Sequence, residues 1–207
     1  MAVSYEDLLD WLRLLDESLV ENRGYLTDLD SEIGDGDHGA NLARGGAAAS
    51  NKVDSDKPEY LDDLFRLVGM TLVSSVGGAS GPLYGTFFLR FAVAAGHRQE
   101  LTPAQLADAL EAGLGGVVER GKPELGDKTM YDAMEPAVRT FRANLDNGVA
   151  VASRLAAEAA AAGRDATSEL VARKGRASYL GERSVGHVDP GSASTAIVFE
   201  TLAQALA

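Results

Sequence analysis

The apolar residues of this chain recur at helical intervals almost from end to end. Near the N-terminus the repeating series is Leu8, Trp11, Leu12, Leu15 and Leu19. Steps of three and four residues place such side chains on one face of an α-helix. Few segments alternate apolar and polar residues with a period of two, so a substantial sheet is not expected. The sequence predicts an all-α fold with about eight helices around one core.

Start and stop residues divide this pattern into helices. Ser4, with Asp7 three residues later, is a typical N-terminal cap, and so is Thr102 followed by Pro103. Gly96 is a typical C-terminal stop. The sequence predicts helices that begin after Ser4, after Thr102 and at Asp189. It also predicts helices over Tyr25 to Glu32, Pro58 to Val76, Ser80 to Ala95, Thr129 to Leu145, and Val149 to Val171 with an interruption at Gly163.

Charge and composition narrow the possible functions. Lys and Arg number 19 against 31 Asp and Glu, which gives a formal net charge of −12. Nucleic acids and anionic membranes are normally bound by clusters of Lys and Arg, so neither is an expected partner. The absence of cysteine excludes disulfides and thiolate chemistry and fits a reducing compartment. With no evident signal peptide or membrane-spanning apolar run, residues 1–207 are expected to form one cytoplasmic domain.

A glycine-rich segment at residues 30–41 is the first of three interruptions. Its stretch Gly34–Gly39 satisfies the dinucleotide-binding pattern G-x-G-x-x-G. That interpretation fails because the pattern requires a preceding strand, whereas residues 25–32 are predicted to be helical. An EF-hand also fails, because the sixth position from Asp35 is not glycine and the twelfth is not glutamate.

Three carboxylates in this segment indicate a cation site instead. Asp35 and Asp37 are one residue apart between glycines, and Asp30 lies five residues upstream, near the end of a predicted helix. Converging carboxylates repel one another unless a cation neutralises them, and hard oxygen ligands favour Mg²⁺, which also binds phosphate oxygens. The alternative is a solvated acidic turn, in which Asp and Gly only shape the backbone.

The second interruption, residues 77–85, predicts an anion site. Its glycines lead into a predicted helix, where exposed amides and small residues let a phosphate approach closely. Ser80 is either a helix cap or a phosphate ligand, and capping alone explains the segment equally well.

The third interruption, residues 173–194, is longer than a usual helix connection and is typical of a lid or binding loop. It contains Arg173, Lys174, Arg176 and Arg183, four of the 19 basic residues. A guanidinium on a glycine-flanked loop suits phosphate recognition. The alternative is that the first basic residues complement the negative end of the preceding helix.

His38 and Asp189 carry weaker signals. His38 is predicted either to bind a phosphate or to orient Asp37, and a structural role is equally open. Asp189 precedes a proline and is explained by a helix cap alone. The order of Ser, His and Asp residues does not indicate an activated nucleophile, so the chemistry favours a bound metal–nucleotide without a covalent intermediate.

Four motifs occur together over nearly the whole chain. They are Gly34–Gly39 (GDGDHG), Gly77–Gly85 (GGASGPLYG), Gly126–Met130 (GDKTM) and Lys174–Ser184 (KGRASYLGERS), followed by Asp189–Gly191. In order and spacing they resemble the family of nucleotide-binding L subunits of dihydroxyacetone kinase. The resemblance implies an eight-helix antiparallel barrel with a nucleotide site at one end.

The resemblance also implies roles for individual residues. Asp30, Asp35 and Asp37 would hold two Mg²⁺ ions that bridge the diphosphate of a bound ADP. Arg176, on a lid, would bind the nucleotide and act in catalysis. The remaining nucleotide-binding residues that it implies are His38, Gly39, Ala40, Asn41, Ala79, Ser80, Gly121, Met130, Asp189, Pro190 and Gly191.

The length of the chain points to one type of system. A fused, ATP-dependent dihydroxyacetone kinase also carries a substrate domain, for which a chain ending at Ala207 leaves no room. The resemblance therefore implies a phosphoenolpyruvate-dependent system, in which a phosphotransferase-system M subunit rephosphorylates bound ADP and dihydroxyacetone is held on a K subunit. Two alternatives stay open. One is the nucleotide subunit of an ATP-dependent kinase for another small ketose or polyol, or of a fatty-acid kinase. The other is a nucleotide-loaded regulatory subunit that docks a transcriptional regulator or a substrate subunit without transferring phosphate.

Overall fold

The computed structural model describes residues 2–207 and confirms the all-α fold. Two short strands, β1 (Val3–Ser4) and β2 (Glu100–Leu101), form an antiparallel pair. None of the helices in the described range combines the length and the apolar character needed to cross a membrane. Within residues 2–207 the nine α-helices are α1 (Tyr5–Glu21), α2 (Arg23–Ile33), α3 (His38–Asp56), α4 (Leu61–Ser75), α5 (Ser80–Ala95), α6 (Pro103–Gly121), α7 (Tyr131–Ala143), α8 (Val149–Ala166) and α9 (Pro190–Ala205).

Eight of these helices form a closed ring. In the order α1, α3, α4, α5, α6, α7, α8 and α9, each helix packs against the next, and α9 packs back against α1. The eleven-residue helix α2 lies outside this order and packs against α3 and α9.

An aromatic cluster fills the middle of the ring. The rings of Phe65, Phe88 and Phe91 lie 5.8 to 5.9 Å from that of Trp11. The indole N–H of Trp11 donates to the carbonyl of Val198 at 3.0 Å, so the one polar group of this side chain is satisfied. The cluster joins α1, α4, α5 and α9 into one core.

The predicted helix ends at Ser4, Thr102 and Gly96 are confirmed. The Ser4 hydroxyl accepts from the Asp7 N–H, and the Asp7 carboxylate accepts from the Ser4 N–H, which makes a complete capping box at the start of α1. Thr102 starts α6 in the same way. Gly96 ends α5 with a φ of 65°, a conformation that favours glycine.

Helix α3 was not among the segments that apolar periodicity predicts, and it raises the helix count above eight. Its sequence is rich in Gly, Ala, Ser and Asn, so few large apolar residues mark a buried face. These small residues serve close packing instead, because a Cβ added at Gly45 would collide with the side chain of Val76.

The predicted interruption at Gly163 is wrong. Helix α8 runs without a break from Val149 to Ala166, and a 3-10 turn replaces the predicted last helical turn to Val171. Gly163 lies where α8 crosses α7, and a Cβ there would stand 2.9 Å from the Cα of Ala133. Close packing of two helices, not a break in one, requires this glycine.

The interruption at residues 173–194 is also more regular than predicted. Residues Arg176–Ser184 form 3-10 turns with a kink at Gly181, whereas α9 begins at Pro190 after the cap Asp189, as predicted. Residues 174–183, called the lid below, carry Arg176 near their beginning.

Candidate functional site

The turn between α2 and α3 is organised around Asp30. Its Oδ2 accepts hydrogen bonds from the backbone N–H of Asp37 at 2.9 Å and of His38 at 3.1 Å. A Cβ added at Gly34 would stand 2.8 Å from the Cγ of Asp30, so only glycine leaves room for this carboxylate. The two amides and the glycine fix the buried Asp30 in the turn.

Asp35 and Asp37 complete a group of three carboxylates. Each of the three aspartates offers an oxygen within 4.8 Å of the other two, and Asp35 and Asp37 are exposed. The Nη2 of Arg176 lies 2.9 Å from the Oδ2 of Asp35. A donor set of converging, hard carboxylate oxygens fits a divalent cation such as Mg²⁺. The structure thus brings the predicted metal ligands together and places the predicted lid arginine beside them.

His38 bridges two helices as a neutral ring. Its Nδ1 lies 3.1 Å from the hydroxyl of Ser80 on α5, and its Nε2 lies 2.9 Å from the hydroxyl of Ser194 on α9. Burial lowers the pKa of the His38 imidazole, although the charges of Asp30 and Asp37 act in the opposite direction. Its nitrogens lie beside the two serines rather than beside Asp37, and because its pKa is lowered from 6.5, the ring serves here as a neutral hydrogen-bonding group.

The N-terminal end of α5 lies next to His38. Its N-cap residue is Ala79, and no side chain among residues 2–207 caps it, because the Ser80 hydroxyl is directed to His38. The interpretation of Ser80 as a helix cap is therefore wrong. A Cβ added at Gly77 would lie 3.0 Å from the amide nitrogen of Asn41, so the turn packs against α3. The uncapped amides and the positive end of the helix dipole favour an anion here.

These features surround one cavity of about 310 Å³. Gly39 and Ala40 are not among its lining residues, and their predicted contact with a nucleotide stays a prediction. Gly39 packs against α2, where a Cβ would stand 2.8 Å from the backbone nitrogen of Thr27. The predicted site residues that do line the cavity are Asp30, Asp35, Asp37, His38, Asn41, Ala79, Ser80, Gly121, Met130, Arg176, Asp189, Pro190 and Gly191.

Asp189 has two roles in the structure. It caps α9, because its Oδ2 accepts from the Ser192 N–H at 2.6 Å, and it also lines the cavity. Burial raises the pKa of the Asp189 carboxyl to about 7; the Ser192 N–H and the Lys128 charge lower it, whereas the nearby Asp132 and Asp30 raise it further. The cap was predicted from the sequence, whereas the burial of this carboxyl beside other acids was not.

Sequence reasoning missed a polar network behind one wall of the cavity. The hydroxyl of Tyr84 lies 2.7 Å from that of Ser194 and 2.9 Å from that of Thr195. Burial raises the pKa of Tyr84 to about 12. Tyr84 belongs to the motif at residues 77–85, but its partners lie on α9, more than 100 residues away, so local spacing gives no sign of the network.

The motif Gly126–Met130 forms another wall. The carboxylate of Asp132 accepts from the N–H of Gly126 at 2.6 Å and of Thr129 at 2.8 Å, which holds the turn that leads into α7. Between them, Lys128 is buried, and its ammonium donates to four backbone carbonyls. The sequence singles out this motif by resemblance and gives Lys128 no role.

A helical ring with three converging carboxylates, an uncapped helix start and a lid arginine around one cavity defines an all-α domain suited to a cation-bound phosphate ligand. The family model described as the DAK2 domain matches residues 32–204. The chain therefore belongs to the DAK2 domain family. This membership confirms the resemblance predicted from the four motifs.

Two curated relatives match along nearly their whole length. The chain is 44% identical over 207 residues to the PEP-dependent dihydroxyacetone kinase ADP-binding subunit DhaL of Escherichia coli K12, and the match covers 99% of both chains. It is also 44% identical over 196 residues to the ADP-binding subunit DhaL of PEP-dependent dihydroxyacetone kinase 1 from Listeria innocua, covering 95% of this chain and 94% of that subunit.

Solved structures with the same fold include the dihydroxyacetone kinase of C. freundii. Its native form matches with a TM-score of 0.74 and 28% identity, over 95% of this chain and 34% of the kinase chain. The chain thus spans about a third of that enzyme. The same kinase in complex with AMP-PNP and Mg²⁺ also matches with a TM-score of 0.74.

Proposed function

We propose that this chain is the ADP-binding subunit of a PEP-dependent dihydroxyacetone kinase, and that it carries a phosphoryl group on the bound nucleotide. The observation that carries the proposal is 44% identity to such a subunit along 99% of both chains. The cavity supports it independently, because carboxylates, an uncapped helix start and a guanidinium meet there.

Asp30, Asp35 and Asp37 would hold magnesium, as two ions in our proposal. They fit because their carboxylate oxygens lie within 4.8 Å of one another. When bound, Mg²⁺ offsets the negative charge of the phosphates and of the transferred group. Asp30 would also orient the site, since its Oδ2 holds the backbone of the turn.

The helix starts around the cavity would bind the phosphates. The uncapped amides at Ala79 and Ser80 supply donors on α5, and His38–Asn41 form the first turn of α3. Because His38 is buried and neutral, it would position the Ser80 hydroxyl without adding charge. Gly121, Met130 and Asp189–Gly191 would complete the nucleotide pocket, against an apolar wall that includes Leu83, Val117 and Pro123.

Arg176 is the proposed catalytic residue. Its guanidinium already lies beside the carboxylates that would hold the metal, so it would reach the phosphoryl group as charge develops during transfer. Gly175 and Gly181 flank its part of the lid with φ values of 65° and 56°. We expect these two glycines to let the lid adjust around the nucleotide.

The proposed reaction needs two further proteins. A K subunit would present dihydroxyacetone, and an M subunit of the phosphotransferase system would rephosphorylate the bound ADP. We place the chain in the cytoplasm with these partners, and a transcriptional regulator is a further candidate partner. A net charge of −12 supports neither nucleic acid nor a membrane as a ligand.

Reconstitution tests this proposal. The chain is mixed with purified K and M subunits, the general phosphotransferase proteins, phosphoenolpyruvate and dihydroxyacetone, and dihydroxyacetone phosphate is measured. We expect product only when all three subunits are present. Turnover with ATP and the K subunit alone, independent of phosphoenolpyruvate, would contradict the proposal. So would tight binding to a partner without any transfer of labelled phosphate.

A further inference from the structure

The side chain of Lys128 is the most completely buried cation of the described residues, with 1% of its surface exposed. It lies in the turn before α7, which forms one wall of the cavity. Its Nζ donates to the backbone carbonyls of Thr167 at 2.8 Å, Leu170 at 3.1 Å, Ser184 at 2.7 Å and His187 at 2.5 Å.

Four carbonyls compete for three N–H groups of one ammonium. A lysine ammonium has three donors and no acceptor, so at least one N–H is shared between two of these oxygens. The ion pairs found within residues 2–207 do not include Lys128. The carbonyl oxygens therefore replace the water that the buried charge has lost, and losing any of them would leave the charge less well solvated.

The backbone conformation at Lys128 indicates that a lysine side chain is needed at this position. Its φ is 62°, in the left-handed region that glycine adopts most easily. Lys57 and Lys122 have a similar φ, but both are C-cap residues, where this conformation is common. Lys128 caps no helix, so the turn retains a lysine at a position where the backbone favours glycine.

The four carbonyls flank the lid on both sides in the sequence. Thr167 and Leu170 precede it, and Ser184 and His187 follow it. These ends also bond to each other, because the N–H of Ala172 donates to the Ser184 hydroxyl at 2.9 Å. Lys128 thus attaches the segments on both sides of the lid to the wall of the cavity, whereas the neighbouring bond from the Arg173 N–H to the Asp127 carbonyl at 3.0 Å holds only the N-terminal side.

The lid itself is held by different contacts. Its residues 175–181 begin and end at glycines with positive φ, at which an added Cβ would meet no atom within 4 Å. Arg176 reaches Asp35 across the cavity at 2.9 Å. The reach of this arginine is therefore set by where the two ends of the lid are anchored, together with the packing of Ala177 and Leu180 against Ile33.

We propose that Lys128 is a positioning residue, which joins the two ends of the lid so that the Arg176 guanidinium lies beside the three carboxylates. Its effect on phosphoryl transfer rests on the proposed function, whereas its effect on the lid does not. Lys128 would touch neither the phosphates nor the metal; besides its electrostatic effect on the Asp189 carboxyl, it acts through Arg176.

The substitution Lys128→Met tests this inference, with Lys122→Met as the matched control. Lys122 is exposed, has the same backbone conformation and lies six residues earlier in the same connection. We expect Lys128→Met, but not Lys122→Met, to raise the rate of tryptic cleavage after Arg176 by about tenfold, because local opening of the lid becomes easier. Unchanged cleavage in a folded Lys128→Met protein would overturn the inference.

A double-mutant cycle separates positioning from a general structural role. Phosphoryl transfer is measured for Lys128→Met, Arg176→Ala and the combined variant. We expect Lys128→Met to lower kcat by about tenfold in the parent chain and by less than about twofold when Arg176 is already alanine. Equal losses in both backgrounds would show that Lys128 does not act through Arg176.

Hydrogen exchange on the unsubstituted chain covers the case in which Lys128→Met does not fold. We expect the amides of Leu170, Ala172 and Gly186, which donate hydrogen bonds next to Lys128, to exchange more slowly than those of residues 176–181, because the hydrogen bonds at the ends of the lid are the more deeply buried. Equal exchange along residues 167–187 would refute the inference. This measurement and the tryptic assay need no dihydroxyacetone, so a failure of the proposed function alone would leave their outcome intact.

Discussion

Gly163 offers a direct test of how α8 packs on α7. An added Cβ would fall inside van der Waals contact of the Asp132 carbonyl and stand 2.9 Å from the Cα of Ala133. Carbon atoms pack at about 3.5–4.0 Å, so Gly163→Ala should push the two helices apart by about 1 Å. The obstructing atoms are backbone and cannot turn away as a flexible side chain would.

Two opposing effects set the size of the change. Alanine is favoured over glycine in a helix by about 1 kcal/mol. Forcing an extra methyl group into a packed interface costs about 1–3 kcal/mol, and we expect the upper part of that range against backbone. The net loss for Gly163→Ala is then about 1–2 kcal/mol, which lowers Tm by about 5 °C in a chain of this size.

Gly115→Ala is the matched control. Gly115 lies inside α6, is exposed, and an added Cβ there would meet no atom within 4 Å. Without a clash, the same substitution should stabilise the fold by about 0.5–1 kcal/mol. Thermal unfolding followed by circular dichroism compares the two variants. If Gly163→Ala raised Tm as Gly115→Ala does, the close packing of α8 on α7 would be refuted.

Three further predictions concern the cavity. Asp37→Asn should abolish ADP binding in the presence of Mg²⁺, measured by calorimetry, because a metal ligand is lost while the phosphate charge remains. The control Asp28→Asn, on the exposed side of α2, should bind ADP as the parent chain does, and equal ADP affinity in the two variants would refute the metal site. Arg176→Ala should lower the rate of phosphoryl transfer more than the affinity for ADP, whereas Arg183→Ala, exposed at the end of the same lid, should change neither. Equal losses of transfer and binding in Arg176→Ala would show that Arg176 only binds the nucleotide. The pKa of Asp189 is raised from 3.8 to about 7, so the folded chain binds more protons than the unfolded chain between these values, and stability without nucleotide should fall as pH rises from 4 to 7. Asp189→Asn should flatten that decline in urea titrations, and an unchanged slope would show that another group causes it.

The sequence predicted most of the helices because their signals are local. The capping boxes at Ser4 and Thr102 lie within four residues, and the stripe around Trp11 repeats along one helix. Helix α3 was missed because its small residues leave no apolar stripe, and Gly163 was misread because a glycine for close packing looks like a glycine that ends a helix.

In the candidate site, too, only the residues with local signals could be predicted from the sequence. Asp35 and Asp37 are close in sequence, so their chemistry could be predicted from spacing. The roles of His38 and Lys128 could not. His38 bonds to Ser194, 156 positions away, and the partners of Lys128 are backbone carbonyls, which every residue type supplies. Resemblance identified the motif around Lys128, but only the structure shows what its side chain holds.

The central claim is that the cavity holds ADP with magnesium as a resident coenzyme. The most direct test is to purify the chain without added nucleotide, denature it, and quantify the released nucleotide and magnesium. A parallel sample measures exchange with external labelled ATP, before and after chelation of magnesium. We predict one ADP per chain with magnesium, little exchange, and release on chelation. A chain that contains no nucleotide and binds none when ADP and magnesium are supplied would contradict the account.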